Sequence, residues 1–238
     1  MPSALSEWKV LAHGPIEKLS DNLWWVWGSL PGMSLKRAMT IVRLSDGRLL
    51  LHSAIALEDS AMQELEGLGT PAFLIVPSFT HRLDAPFYKK RYPALRVFAP
   101  SGSRAKVRTV VDVDGSYEDF PPDASVRFET LSGLKELEGV MIVTSADGVS
   151  LVFNDAVFNM DRKRDPLGLL FTTLLGSAPG PRVSRLVKFM LVSDKPAFRG
   201  DLLRYAQTPD LVRLIVAHEK VAHGTDAAGS LRKAAEYL

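Results

Sequence analysis

Residues 73–93 read FLIVPSFTHRLDAPFYKKRYP. Phe73, Leu74, Ile75 and Val76 form an apolar run with no polar alternation, the pattern of a strand buried on both faces. Pro77 and Ser78 break it, because proline has no amide hydrogen with which to continue a ladder. A histidine, His81, follows, and Asp84 comes three residues later. Residues 86–92 then read as a short helix. A strand with two covered faces calls for layers on either side of its sheet.

The neighbouring segments supply those layers. Residues 22–28 (NLWWVWG) are aromatic and β-branched, as strands are. Residues 37–44 and 48–55 are strand-like runs separated by Ser45-Asp46-Gly47, a strong hairpin signal. Residues 58–68 turn helical, with acidic groups in the first turn and Gly69 at the end. Residues 96–99 predict another short strand and 104–110 a helix. Strands resume at 126–131, 139–144 and 149–153, the last two flanking a second Asp-Gly turn at Asp147-Gly148. Helices are expected at 183–190, 198–206 and 227–238, with a late buried strand at 211–217. No long linker or repeat interrupts this order, so one domain over residues 1–238 is expected. Helix-covered strands in mixed order predict a layered α/β sandwich. The Asp-Gly hairpins argue against a purely parallel sheet.

Three polar groups occupy one topological position. His81 follows the strand at 73–76, Asp155 follows the strand at 149–153, and His218 follows the strand at 211–217. In open α/β sheets, sites gather beyond the carboxyl ends of strands. Two imidazoles and a carboxylate form a sensible ligand set for zinc or Fe(II). The chain has no cysteine, which excludes disulfides, thiolate zinc sites and cysteine nucleophiles.

Several stretches resemble the metallo-β-lactamase superfamily across most of the chain. LSDNLWWVWG, starting at Leu19, is similar to its opening strand, and MTIVRLSDGRLLLHSAI, starting at Met39, to its following hairpin. LVFNDAVF resembles the strand carrying the family's bridging aspartate, which would be Asp155. RLIVAHEKVAHG resembles the late strand ending in the last metal histidine, which would be His218. The resemblance implies a four-layer αββα sandwich of mixed sheets. It departs at the main signature, T-H-x-H-x-D-H, where this chain has Thr80-His81-Arg82-Leu83-Asp84-Ala85-Pro86. Leu83, Ala85 and Pro86 replace three of the usual ligands, and Leu134 stands where the middle histidine would fall. The resemblance therefore implies at most a reduced site of His81, Asp155 and His218, with Asp84, one position off, as a ligand or catalytic base.

Two functional readings follow. One is a relative that has lost the metal and binds an anionic small molecule or a partner in its pocket, with no assignable substrate. The other is a mononuclear hydrolase using one zinc or iron ion on a small anionic ester, thioester or related substrate. The loop at 161–165, DRKRD, with Lys89, Lys90 and Arg91, offers cationic groups that would attract an anion, although a charged loop is ordinarily just solvated. The run GLLFTTLLG, residues 168–176, reads as buried helix, or else as an apolar lid or dimer surface. Of the other histidines, His52 lies within a strand, His223 in a surface loop, and His13 near a strand end without a nameable partner.

The chain has 29 basic against 27 acidic residues, a net charge of +2, too even for a nucleic-acid binder. The N-terminal MPSALSEWKV lacks the pattern of a secretory signal, and no apolar stretch approaches the about 18 residues of a spanning helix. A cytoplasmic protein with neither nucleic-acid nor membrane partner is expected. Nucleophile-elbow, P-loop and dinucleotide-loop signatures are absent from the sequence.

Overall fold

The two Asp-Gly turns pair their flanking strands as expected, and each anchors one of two sheets. In this computed structural model, which describes residues 7–238, the first sheet runs in chain order: β1 (Glu17–Lys18), β2 (Leu23–Leu30), β3 (Met33–Arg43), β4 (Arg48–His52), β5 (Thr70–Ile75) and β6 (Arg96–Phe98). Residues 1–6, the start of the stretch read for a secretory signal, lie outside the described residues. The second sheet contains β7 (Val126–Thr130), β8 (Gly139–Ser145), β9 (Gly148–Val152), β10 (Leu211–Ile215) and β11 (Ala222–His223), in the order β11-β10-β9-β8-β7. Both sheets are mixed. β1 to β4 pair antiparallel, whereas β4, β5 and β6 run parallel. β9 and β10 are parallel between antiparallel neighbours.

Among the described residues, seven α-helices cover the outer faces: α1 (Asp59–Leu68), α2 (Ala85–Arg91), α3 (Ser101–Val107), α4 (Pro166–Leu169), α5 (Arg185–Met190), α6 (Lys195–Tyr205) and α7 (Thr225–Ala235). The side chains of Asp165, Ser184 and Asp194 accept from the first-turn amides of α4, α5 and α6, satisfying donors that the helix itself leaves free. None of the helices among the described residues is long and apolar enough to cross a membrane.

Three apolar clusters lie between four layers. Leu23, Trp25, Phe73, Ile75, Met141, Val143 and Ile215 fill the space between the sheets. Trp24, Ile41, Leu74 and Val76 pack outward with Met62, Leu65 and Tyr88 of α1 and α2. Ile142, Leu151 and Leu214 pack outward with Phe198, Leu202 and Leu231 of α6 and α7. The alternation of a strand thus appears twice over: Trp24 and Trp25 serve different cores, as do Phe73 and Leu74. This is the expected αββα sandwich. Each fully buried Leu, Ile or Phe contributes about 1.5–3 kcal/mol. Truncating Phe73, whose ring lies 6.2 Å from Phe98 and 5.1 Å from Phe120, would cost about 3–5 kcal/mol.

Most elements differ from expectation only at their ends. The helix expected at 104–110 begins at Ser101 and stops at Val107. The short edge strands β1 and β11 carry no apolar pattern of their own. His223 therefore lies in an edge strand rather than a loop, though exposed as expected. The run at 168–176 departs most. It forms the end of α4 and a π-helical turn at Leu170–Leu174, and leaves Leu169, Leu170 and Leu174 exposed. Its leucines follow one another too closely for a short helix to turn them all towards one core.

Candidate metal centre

Every parallel strand beside the centre ends at the same edge of the sandwich. β4 leads to Ser53, β5 leads through Pro77 into the loop bearing Thr80 and His81, β9 leads to Asp155, and β10 to His218. Ala38 of β3 donates its amide to the carbonyl of Ala217, 2.8 Å away, which ties the first sheet to the end of β10. Ser53 and Glu219 hold positive φ angles of 59° and 71°, a conformation non-glycine residues adopt uncommonly and often near functional sites.

His81, Asp155 and His218 meet at one point. Nε2 of His81 lies 3.2 Å from Oδ1 of Asp155, and Nε2 of His218 lies 3.1 Å from the same oxygen. One ligand atom from each residue lies within 4.8 Å of the others. Ligands about 2.0–2.2 Å from a common zinc ion would stand about 3–3.5 Å apart, and each imidazole Nε2 stands at 3.2 or 3.1 Å from Asp155 Oδ1.

The hydrogen bonds behind the cluster orient it. His218 Nδ1 lies 2.7 Å from the carbonyl of Lys36, which can only accept, so Nδ1 carries the proton. Neutral His218 therefore turns an unprotonated Nε2 towards the Asp155 carboxylate. Two lone pairs face each other there, and a proton or a metal cation must lie between them. His81 Nδ1 lies 3.1 Å from the Ser53 hydroxyl. Thr80 donates its hydroxyl to Asp155 Oδ2 at 3.0 Å and is itself linked to Ser78 at 2.6 Å. Such outer partners hold metal ligands in position. The His218 ring also stacks on Phe158, with centroids 5.5 Å apart.

A second carboxyl, Glu138, stands directly behind. It is fully buried and accepts the amides of Asp155 and Ala156 at 3.2 and 2.7 Å, and Nδ2 of Asn154 at 3.2 Å. Burial pushes the Glu138 carboxyl up strongly, and the charge of Asp155 pushes it further. Burial also pushes Asp155 up, but when both Nε2 atoms carry protons, the charge of His81 first and the hydrogen bonds then donated by the two histidines outweigh it and hold Asp155 well below the usual range. The two carboxyls are thus pushed in opposite directions, Asp155 towards its charged form and Glu138 towards its protonated one. Glu138 escaped notice in the sequence because the segment LKELEG carries two glutamates in a polar setting. Nothing local says which one is buried.

The remaining candidates lie elsewhere. Asp84 is completely buried beside α2 and forms an ion pair with Arg37, which also donates Nε to the Ser29 carbonyl. Burial raises the Asp84 carboxyl against the opposing pull of Arg37. Asp84 is thus neither in the three-residue cluster nor on the wall of the cavity described next. Leu83, Ala85 and Leu134 are buried apolar residues. His52 is buried in β4, and burial first, with the charge of His81 second, pushes it down to about 3. His13 gains a partner the sequence did not reveal, accepting the Glu58 amide at 3.0 Å where α1 begins. Lys89, Lys90 and Arg91 lie on α2, where Lys89 donates to the Leu95 carbonyl and Arg91 pairs with Glu66, away from the centre. In the basic loop, Lys163 pairs with Glu219.

The cluster forms the polar floor of a cavity of about 300 Å³. Its walls are apolar, with Leu30, Met33, Phe79, Phe158, Phe171 and Leu186 prominent. Arg37 also reaches the wall, but with its charge already matched by Asp84.

No family model matches the chain, and no curated protein does. Solved structures do: 196 of their chains match. A crystal structure of the DIM-1 metallo-β-lactamase exposed to ceftazidime aligns with a TM-score of 0.62 at 12% identity, over 96% of this chain and 98% of that one. A metallo-β-lactamase from Pontibacter korlensis aligns with a TM-score of 0.60 at 10% identity, over 94% of this chain and 99% of that one. The chain therefore has the metallo-β-lactamase fold.

Proposed function

We propose that His81, Asp155 and His218 hold one divalent metal ion, and that the protein hydrolyses an ester or thioester with an apolar acyl group. The observation that carries this reading is the His218 hydrogen bond to the Lys36 carbonyl. It fixes the tautomer so that Nε2 confronts a carboxylate oxygen 3.1 Å away. Two imidazole nitrogens and a carboxylate suit zinc or iron. A bound ion would supply Lewis acidity, polarising a carbonyl and lowering the pKa of water.

The chain's own groups bind and orient. Lys36, Ser53 and Thr80 fix the two rings and the carboxylate, and Glu138 holds the Asp155 backbone. The apolar walls exclude water and would hold an acyl chain against the cluster. An anionic substrate is the weaker alternative, because Arg37 on the wall is neutralised by Asp84.

A second reading, a metal-free binding pocket, is favoured by one observation: Leu83, Ala85 and Leu134, which stand where the sequence resemblance would place further ligands, are buried apolar residues. Elemental analysis of protein purified without chelator or metal resin separates the two. The metal reading expects about one equivalent of zinc, iron or manganese, lost in Asp155→Ala and in His218→Ala, with ester hydrolysis lost alongside it. A metal-free wild type that takes up none on addition overturns it.

A further inference from the structure

We propose that the face built by residues 162–190 docks on an anionic phospholipid surface. Among the described residues, the exposed large apolar side chains are Leu167, Leu169, Leu170, Leu174, Phe189 and Met190, all within one stretch. Phe189 is 90% exposed and Leu174 63%. Single exposed apolar residues are ordinary, but such clustering marks an interaction surface. The two halves of the face are joined, since the Arg185 amide donates to the Leu175 carbonyl at 2.9 Å.

Charge identifies the occupant. Residues 162–190 contain Arg162, Lys163, Arg164, Arg182, Arg185 and Lys188 against Asp165, which is 6 − 1 = +5. The whole chain is +2, so all the rest sums to −3. Arg162, Arg164 and Arg185 are exposed within the same stretch as the apolar residues. Leucine and phenylalanine with a basic rim suit the headgroup boundary of an anionic bilayer. A symmetric pair of chains would instead press two cationic faces together.

The same elements wall the cavity: Phe171 from the π-helical turn, and Leu186, Val187 and Met190 from α5. Met190 belongs to both the exposed face and the cavity wall. Docking thus presents the apolar cavity to lipid. That an acyl substrate enters by this route rests on the hydrolase reading above, whereas docking itself does not.

The test is flotation of the full chain with vesicles of phosphatidylcholine alone or mixed with phosphatidylglycerol, with sedimentation velocity in parallel. The chain should float with the mixed vesicles, and binding to them should fall in high salt. Each basic residue at the surface is worth about a fivefold change in partition. Leu174→Ser with Phe189→Ser should lower partition at least about tenfold, while circular dichroism and metal content stay unchanged. Arg162→Ser with Arg164→Ser should weaken binding to the mixed vesicles only. Absence of flotation overturns the proposal, as does flotation indifferent to the apolar substitutions. A dimer that those substitutions dissociate, without vesicle binding, assigns the face to a second copy instead. A wild type that holds no metal and takes up none on addition, yet still floats, would sink the hydrolase reading and leave docking standing.

Discussion

The two ends of the sandwich each bury a charged residue, and they treat it differently. Where β9 begins, Arg213 lies almost wholly buried, paired with Asp147 and donating to the Leu19 carbonyl at 2.6 Å and to Ser150 at 3.3 Å. Ser20 adds a hydroxyl to Asp147 at 2.6 Å, and Ser145 and Asn22 join at 2.6 Å close by. Donors there meet acceptors, so that end is complete as it stands. Where β9 ends, Asp155 faces two ring nitrogens, one of which is oriented as an acceptor. Nearby, Asn154 Oδ1 is buried without a hydrogen-bond partner. One end is matched within the chain; the other is completed by an added proton or cation. A polar cluster that needs an outside partner marks function, whereas a self-sufficient one marks stability.

The sharpest way to break this contrast is to exchange the roles of the two ends. Asp155→Ala should abolish metal binding, while Arg213→Ala should leave metal content unchanged, both read by elemental analysis. Glu138→Ala removes the support of the Asp155 backbone and should weaken metal affinity about 10–100-fold, measured by competition with a chromogenic chelator. Arg213→Ala should instead lower unfolding stability by about 1–3 kcal/mol in urea, since it strands the Leu19 carbonyl and Ser150.

Proton linkage gives a finer test. His52, beneath Ser53, is held neutral by burial, with its pKa near 3. Below about pH 6.5 the unfolded chain binds a proton there that the folded chain refuses, so stability falls with pH at about 1.4 kcal/mol per unit. His52→Gln should remove that slope between pH 6.5 and 4, as followed by urea midpoints. The smallest effect belongs to the exposed face. Leu174→Ser should change stability by less than about 0.5 kcal/mol, because its side chain supports no core.

Legibility followed locality. Residues 37–44 and 48–55 are read correctly as a hairpin because the Asp-Gly turn and the flanking apolar runs are contiguous. Residues 73–76 are read as doubly buried because continuous apolarity is itself the signal. The same rule failed at 168–176. Apolarity there points first to burial, and the exposed leucines match the alternative of an apolar lid or surface. Glu138 and the Asp84–Arg37 pair stayed hidden, because a carboxylate's burial depends on what the rest of the chain packs over it.

The amino-acid order by itself determined the strands, their hairpins and the layered class, since hydrophobic periodicity and turn chemistry act between near neighbours. It also placed His81, Asp155 and His218 at strand ends and excluded thiolate chemistry. Only the tertiary structure decided that these three side chains share one oxygen, across separations of 74 and 63 residues. It alone set the Lys36 carbonyl behind His218 and turned a leucine-rich run outward. Those outcomes depend on the register of parallel strands and the packing of one sheet on the other. No local pattern encodes them, because each contact is settled by the closure of long stretches of chain.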